Sequence, residues 1–159
     1  MAVTENKRIE DTKAQLHGLY FEAIEVGMEA TYTRTITNAD VQKFVEISGD
    51  NNPIHLNKEF ARKTIFKERV IHGMLTASFI STVIGTKLPG PGCIYVNQNL
   101  NFKAPVKVGD TVITFCKVIK KNDAKNIIKL ETICSVANKV VIEGHATILV
   151  PNRPVIVKK

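Results

Sequence analysis

The chain predicts an α+β fold in which an antiparallel sheet wraps around one long buried helix. Three observations predict it. Residues Gly73 to Thr86 carry no charge, and Met74, Leu75, Ala77, Phe79, Ile80, Val83, Ile84 and Leu88 cover nearly the whole circumference of a helix, as in a helix with no solvent face. From Cys93 to Val150 strand-like runs follow one another through short turns, the pattern of an antiparallel sheet with its helix segregated to one face. The βαβα alternation of a nucleotide-binding sheet is missing, and so are GxGxxG and P-loop sequences.

The elements follow in order. Residues 1 to 20 are polar and lack a clear period, and read as an N-terminal extension to a single domain over 21–159. Glu25 to Thr35 alternates Val26, Met28, Ala30 and Tyr32 with more polar neighbours and predicts a first strand, with Gly27 at a bulge or turn. Thr37-Asn38-Ala39-Asp40 pairs a capping side chain with an acid in the first turn, and Val41, Phe44, Val45 and Ile47 or Ser48 continue it as a helical stripe. Gly49 sits where that helix stops. Asn52-Pro53 forces extended geometry, so the following stretch reads as a stiff loop, and Lys58 to Thr64 as one or two further helical turns. After the apolar helix, Pro89-Gly90-Pro91-Gly92 breaks the chain. Four strands complete the sheet: Cys93 to Lys103, Thr111 to Ile119, Ile127 to Val136 and Lys139 to Val150. Turns at 105–110, at the charged 120–126 and at Ala137-Asn138 separate them. The third of these places Ile128, Leu130, Thr132, Cys134 and Val136 on one face.

Size and composition narrow the function. A chain of 159 residues with 44% hydrophobic and 23% charged residues holds one real core. The longest uncharged run, Val70 to Thr86, is too short and too polar to span a membrane, and the first 18 residues carry no apolar secretory core. A cytoplasmic location is the expectation. Cys93, Cys116 and Cys134 are isolated, with no CxxC spacing, which argues against a zinc site or a disulfide framework. The net charge of +7 is spread over scattered lysines without interleaved aromatics, so a phosphorylated small molecule or an acidic carrier protein suits it better than nucleic acid.

Chemistry concentrates in Ser48-Gly49-Asp50-Asn51-Asn52-Pro53-Ile54-His55 and Val70-Ile71-His72-Gly73-Met74. A carboxylate and an imidazole five residues apart suit proton transfer, since neutral imidazole is available near neutral pH. The start of the apolar helix at Gly73 offers an unpaired N–H and the positive end of the helix dipole to a carbonyl oxygen that gains charge. Asp50 and His55 alone are too few ligands for a metal, and no other His or Cys stands at metal spacing. Each residue has a plainer alternative. Asp50 closes the preceding helix, His55 bonds backbone, and Ser81 bonds a carbonyl one turn back. His17 and His145 read as structural or solvent-facing, and Gln98 and Asn99 as paired within the sheet.

Together with Tyr95, Phe102-Lys103-Ala104-Pro105-Val106 and Gly109-Asp110, these two segments resemble the MaoC-like (R)-specific enoyl-CoA hydratases, over about Glu25 to about Val150. The resemblance implies a hot-dog fold, a homodimer or dimer of dimers, and addition of water to trans-2-enoyl-CoA to give the (3R)-hydroxyacyl-CoA. No cofactor is implied beyond the coenzyme A of the substrate. By position, Asp50 and His55 match the catalytic pair that activates water, Gly73 the backbone N–H that binds the thioester oxygen, and Ser81 a serine of the same polar cluster. Asn52, His72, Gly73 and Met74 fall to substrate binding. Val70 departs from the commoner pattern, where a proline precedes the His-Gly segment; the change removes no reacting group. Three rival readings remain: a (3R)-hydroxyacyl-acyl carrier protein dehydratase, a hot-dog acyl-CoA thioesterase, and a non-enzymatic acyl-CoA-binding module. The thioesterase reading is weakened because residues 73 to 86 contain no Asp or Glu.

Overall fold

The computed structural model describes residues 16–154. The first fifteen residues of the predicted extension lie outside the described part. Residues 16–20 are tied to the domain: Gly18 and Leu19 donate their N–H groups to the carbonyls of Pro91 and Pro89, both at 2.8 Å. A short 3-10 turn, Phe21–Ala23, leads to the first strand, β1 (Glu29–Thr35). β1 starts later than expected because the chain turns at Gly27, whose φ of 98° places it in the left-handed region. Met28, Ala30 and Tyr32 pack on the core as their alternation predicts, while Val26 stays exposed ahead of the strand.

Four helices follow: α1 (Asn38–Ser48), α2 (Pro53–Leu56), α3 (Lys58–Arg62) and α4 (Gly73–Thr86). Thr37 caps α1 reciprocally with Asp40: the Thr37 hydroxyl accepts from the Asp40 N–H, and the Asp40 carboxylate accepts from the Thr37 N–H at 2.8 Å. α1 ends at Gly49, left-handed at φ 75°. The stretch expected as a loop after Asn52 is instead one helical turn. Asn52 takes the extended geometry demanded of a residue before proline and caps the turn, and Pro53 occupies its first position, where a missing N–H costs nothing.

Four strands close the sheet: β2 (Ile94–Phe102), β3 (Thr111–Asn122), β4 (Ile127–Val136) and β5 (Lys139–Leu149). β3 runs three residues further than predicted, because Lys120 to Asn122 keep pairing with Ile127 to Lys129 across the hairpin. The order is β1-β3-β4-β5-β2, every neighbour antiparallel. Ile128, Leu130, Thr132 and Cys134 of β4 are fully buried on one face. They join Val112, Cys116, Ile142 and Ile148 of the neighbouring strands and Phe79, Ile80, Val83 and Ile84 of α4 in one core. The sheet thus wraps α4 as expected of the α+β hot-dog arrangement. The chain does not cover α4 all round, however. Met74 is 58% exposed, and Ser78, Ser81 and Gly85, on the same side at helical spacing, are exposed too. No helix among the described residues is long and apolar enough to cross a membrane.

Candidate active site

The site grows from the turn between α1 and α2. After Gly49 reverses the chain, the Asp50 N–H is accepted by the Ser48 hydroxyl at 3.2 Å, and Asp50 Oδ1 accepts the Asn52 N–H at 3.2 Å. One carboxylate oxygen is thereby engaged and Oδ2 is left for a ligand. Asn52 Oδ1 accepts the Ile54 N–H at 3.1 Å and so holds the start of α2, which carries His55. The His55 ring is fixed from the other side: its Nδ1 lies 2.8 Å from the Val70 carbonyl oxygen. A carbonyl only accepts, so Nδ1 carries the hydrogen and Nε2 keeps its lone pair. Val70 is itself clamped, since the next residue, Ile71, donates its N–H to the Val106 carbonyl at 2.7 Å. The departure from proline at position 70 therefore leaves the segment held.

His72 is the residue whose part was least visible in the sequence. It is 2% exposed. Its Nε2 donates to the Asp50 backbone carbonyl at 2.9 Å, and its ring lies 3.7 Å, centroid to centroid, from that of His55. Asp50, His55 and His72 each bring a donor atom within 4.8 Å of the others. The expectation that no third donor stands near the pair is thus corrected. Two ring nitrogens of the set, His55 Nδ1 and His72 Nε2, are committed to carbonyls, which leaves Asp50 Oδ2, His55 Nε2 and the buried, unpartnered His72 Nδ1. Burial holds the His55 imidazole below its ordinary pKa, with the adjacent His72 ring acting in the same direction. The Val70 hydrogen bond and the Asp50 charge oppose this and are outweighed.

A cavity of about 550 Å³ brings these groups together with Asn52, Gly73 and Met74. Gly73 opens α4, and no side chain caps that helix start, so the first N–H groups stand unpaired at the cavity. The reason for glycine is sharper than close approach to a ligand. A Cβ at 73 would sit 2.6 Å from the ring of Phe102, which forms the opposing wall. The role of Phe102 as a wall has no local signal in the sequence, because β2 and α4 meet only in three dimensions. Ser81 is not brought to the pair. It lies eight residues beyond Gly73, about 12 Å along the helix axis, exposed and outside the cavity lining. Within one chain α4 carries it away from the turn that bears Asp50. The remaining polar residues follow the plainer reading. Gln98 donates to the Thr132 hydroxyl at 3.1 Å, Asn99 Oδ1 accepts the His145 N–H at 2.7 Å, and His17 stacks on Tyr20.

Fold and site define a hot-dog domain whose cavity joins a carboxylate and a neutral imidazole to the open start of the central helix. Comparison with known proteins places it further. A model of the MaoC like domain matches residues 21–140. The chain is 52% identical over 134 residues to the (R)-specific enoyl-CoA hydratase of Rhodospirillum rubrum, covering 84% of this chain and 93% of the relative. It is 45% identical over 139 residues to the 3-hydroxybutyryl-CoA dehydratase of Methylorubrum extorquens, covering 87% and 88%. Among solved structures, the unliganded R-hydratase PhaJ1 from Pseudomonas aeruginosa matches with a TM-score of 0.81 and 39% identity, covering 91% of this chain and 95% of that one. The chain belongs to the MaoC-like domain family.

Proposed function

We propose that the chain is an (R)-specific enoyl-CoA hydratase, a hydro-lyase that adds water reversibly to trans-2-enoyl-CoA to give the (3R)-hydroxyacyl-CoA. The observation that carries this reading is the convergence of Asp50 and His55 on a cavity that also holds the uncapped N–H groups at Gly73. Water is a poor nucleophile. A molecule whose two hydrogens are accepted by His55 Nε2 and Asp50 Oδ2 is oriented with a lone pair facing outward. That lone pair attacks C3 of the enoyl thioester while the C2–C3 π electrons move toward the carbonyl. The Gly73 N–H receives the enolate oxygen; one such donor contributes roughly 3 kcal/mol of barrier lowering. The proton taken from water returns to C2 through the same two groups, so oxygen and hydrogen add on one face. Asn52 and His72 act as positioning residues, and Met74 forms part of the wall.

The names of the relatives support a coenzyme A thioester as the substrate. Assembly as a homodimer is the second part of the proposal. It rests on the uncovered face of α4 and on the free edge strand β2, which exposes Ile94, Val96 and Phe102. In such a dimer Ser81 belongs to the covered face of α4. A cytoplasmic setting fits the three free cysteines, two of them buried. The test is loss of enoyl absorbance with crotonyl-CoA. Asp50→Asn and His55→Ala should each lower kcat by about 10² to 10⁴-fold. Ser81→Ala should stay within severalfold of the parent. Absent turnover by the folded parent protein, or full turnover by both site variants, removes the assignment.

A further inference from the structure

Beside the cavity lies a second, smaller concavity of about 260 Å³ lined by Lys58, Arg62, Lys67, Arg69 and Lys107, with Glu68 as its one carboxylate. We propose that this basic groove seats the 3′-phosphorylated ADP portion of the thioester's coenzyme A. The proposal rests on the hydratase reading and names the part of its substrate remote from the reacting carbons.

Position is the first reason. Phe66, Val70 and Val106 line the reaction cavity, while their chain neighbours Lys67, Arg69 and Lys107 line the groove. Consecutive Cα atoms are about 3.8 Å apart, so the backbone passes directly from one wall to the other at three points, two within residues 66–70 and one at 106–107. A ligand that fills the cavity and continues outward at this rim meets the groove next.

Charge is the second reason. The lining sets five cations against one acid, and its internal pairing leaves most of that positive charge unspent. Glu68 takes Lys107 at 2.5 Å, and Arg62 pairs at 2.9 Å with Glu59 on the same short helix. Lys58 and Lys67 have no carboxylate within ion-pair distance among the described residues. Arg69 is already positioned, with both terminal nitrogens donating to Asn38 Oδ1 at 3.1 Å. The segment between α3 and Val70 is built to hold this arrangement: Lys67 adopts the left-handed region at φ 61°, which disfavours a residue with a Cβ, and its N–H is accepted by the Thr64 carbonyl at 3.2 Å. The 3′-phospho-ADP group carries roughly four negative charges, about two on the diphosphate and nearly two on the monoester. The three cations left without a carboxylate partner among the described residues, Lys58, Lys67 and Arg69, offset most of that charge. An acidic carrier protein would also be attracted, but a narrow concavity fits phosphate groups better than the convex face of a folded protein.

The experiment compares crotonyl-CoA with crotonyl-pantetheine, which keeps the arm and lacks the nucleotide. It also follows binding of adenosine 3′,5′-bisphosphate by calorimetry, a readout that needs no turnover. The parent protein should prefer the CoA thioester in kcat/KM by at least about tenfold, and the preference should weaken with added salt. Lys58→Gln/Lys67→Gln should cut that preference about tenfold through KM and weaken the bisphosphate by a similar factor. Equal use of both thioesters by the parent, or bisphosphate binding unaltered in the variant, overturns the groove and leaves hydration standing. If neither thioester is hydrated while the variant still loses the bisphosphate, the groove stands and the hydratase reading falls. If the variant is impaired only toward crotonyl-acyl carrier protein, the groove belongs to a protein carrier and the proposal is overturned.

Discussion

His55 is made ready for chemistry by a single backbone oxygen. Because the Val70 carbonyl takes the Nδ1 hydrogen, the nitrogen facing the cavity is a base in the neutral ring. Burial lowers the His55 pKa below 6.5, which favours that neutral form. The sign follows directly: as pH falls, the ring stays unprotonated past the ordinary histidine midpoint and charges only below it. The acid limb of kcat/KM for crotonyl-CoA should therefore have its midpoint below 6.5, and a midpoint at or above that value would remove His55 as the neutral base. Gly73 supplies a second test at this scale. In Gly73→Ala the new methyl group meets the Phe102 ring at 2.6 Å, and the ring, half exposed, can swing aside. Stability should change little, while the shifted wall should lower kcat/KM about 10 to 100-fold. A variant that keeps full activity with a displaced Phe102 would show that the wall does not place the thioester.

At the scale of elements, the strongest local signals are those the structure reproduces. The Thr37/Asp40 cap sets the start of α1, and Gly49 its end, because each rests on contacts within four residues. Hydrogen bonds from the Thr37 backbone and hydroxyl, aided by Arg34 at 2.6 Å, hold the Asp40 carboxyl down to about 2. Asp40→Ala should cost about 1 kcal/mol in urea unfolding at neutral pH. A depressed carboxylate stabilises the fold above its unfolded value of 3.8, so the difference between parent and variant should shrink as pH falls from there toward about 2. A gap that stays constant over that interval would mean the cap does not act through its charge. The turn after Asn52 was legible as stiff but not as helical. Proline forbids a helix running through it yet favours one beginning with it, and nothing within Asn52-Pro53 chooses between the two.

For the molecule as a whole, the β2 edge of the sheet and one face of α4 remain uncovered, and the proposed dimer covers these two surfaces. Val96, 55% exposed, is the extra residue at the irregularity between Tyr95 and Asn97 in β2. Val96→Lys should leave the fold intact and halve the solution mass from twice 17.6 kDa, by light scattering on a sizing column. A parent protein that is monomeric at micromolar concentration would dismiss the dimer. The strands, the buried helix and the meeting of Asp50 with His55 were readable beforehand, because alternation, apolar circumference and a five-residue spacing are properties of neighbouring residues. Tertiary structure alone decided that His72 would buttress Asp50 from 22 residues away, that Phe102 would stand against Gly73, and that Ser81 would face outward. It alone gathered scattered lysines into one groove beside the cavity. Local chemistry selects elements, whereas contacts between distant segments exist only once the sheet has closed around the helix.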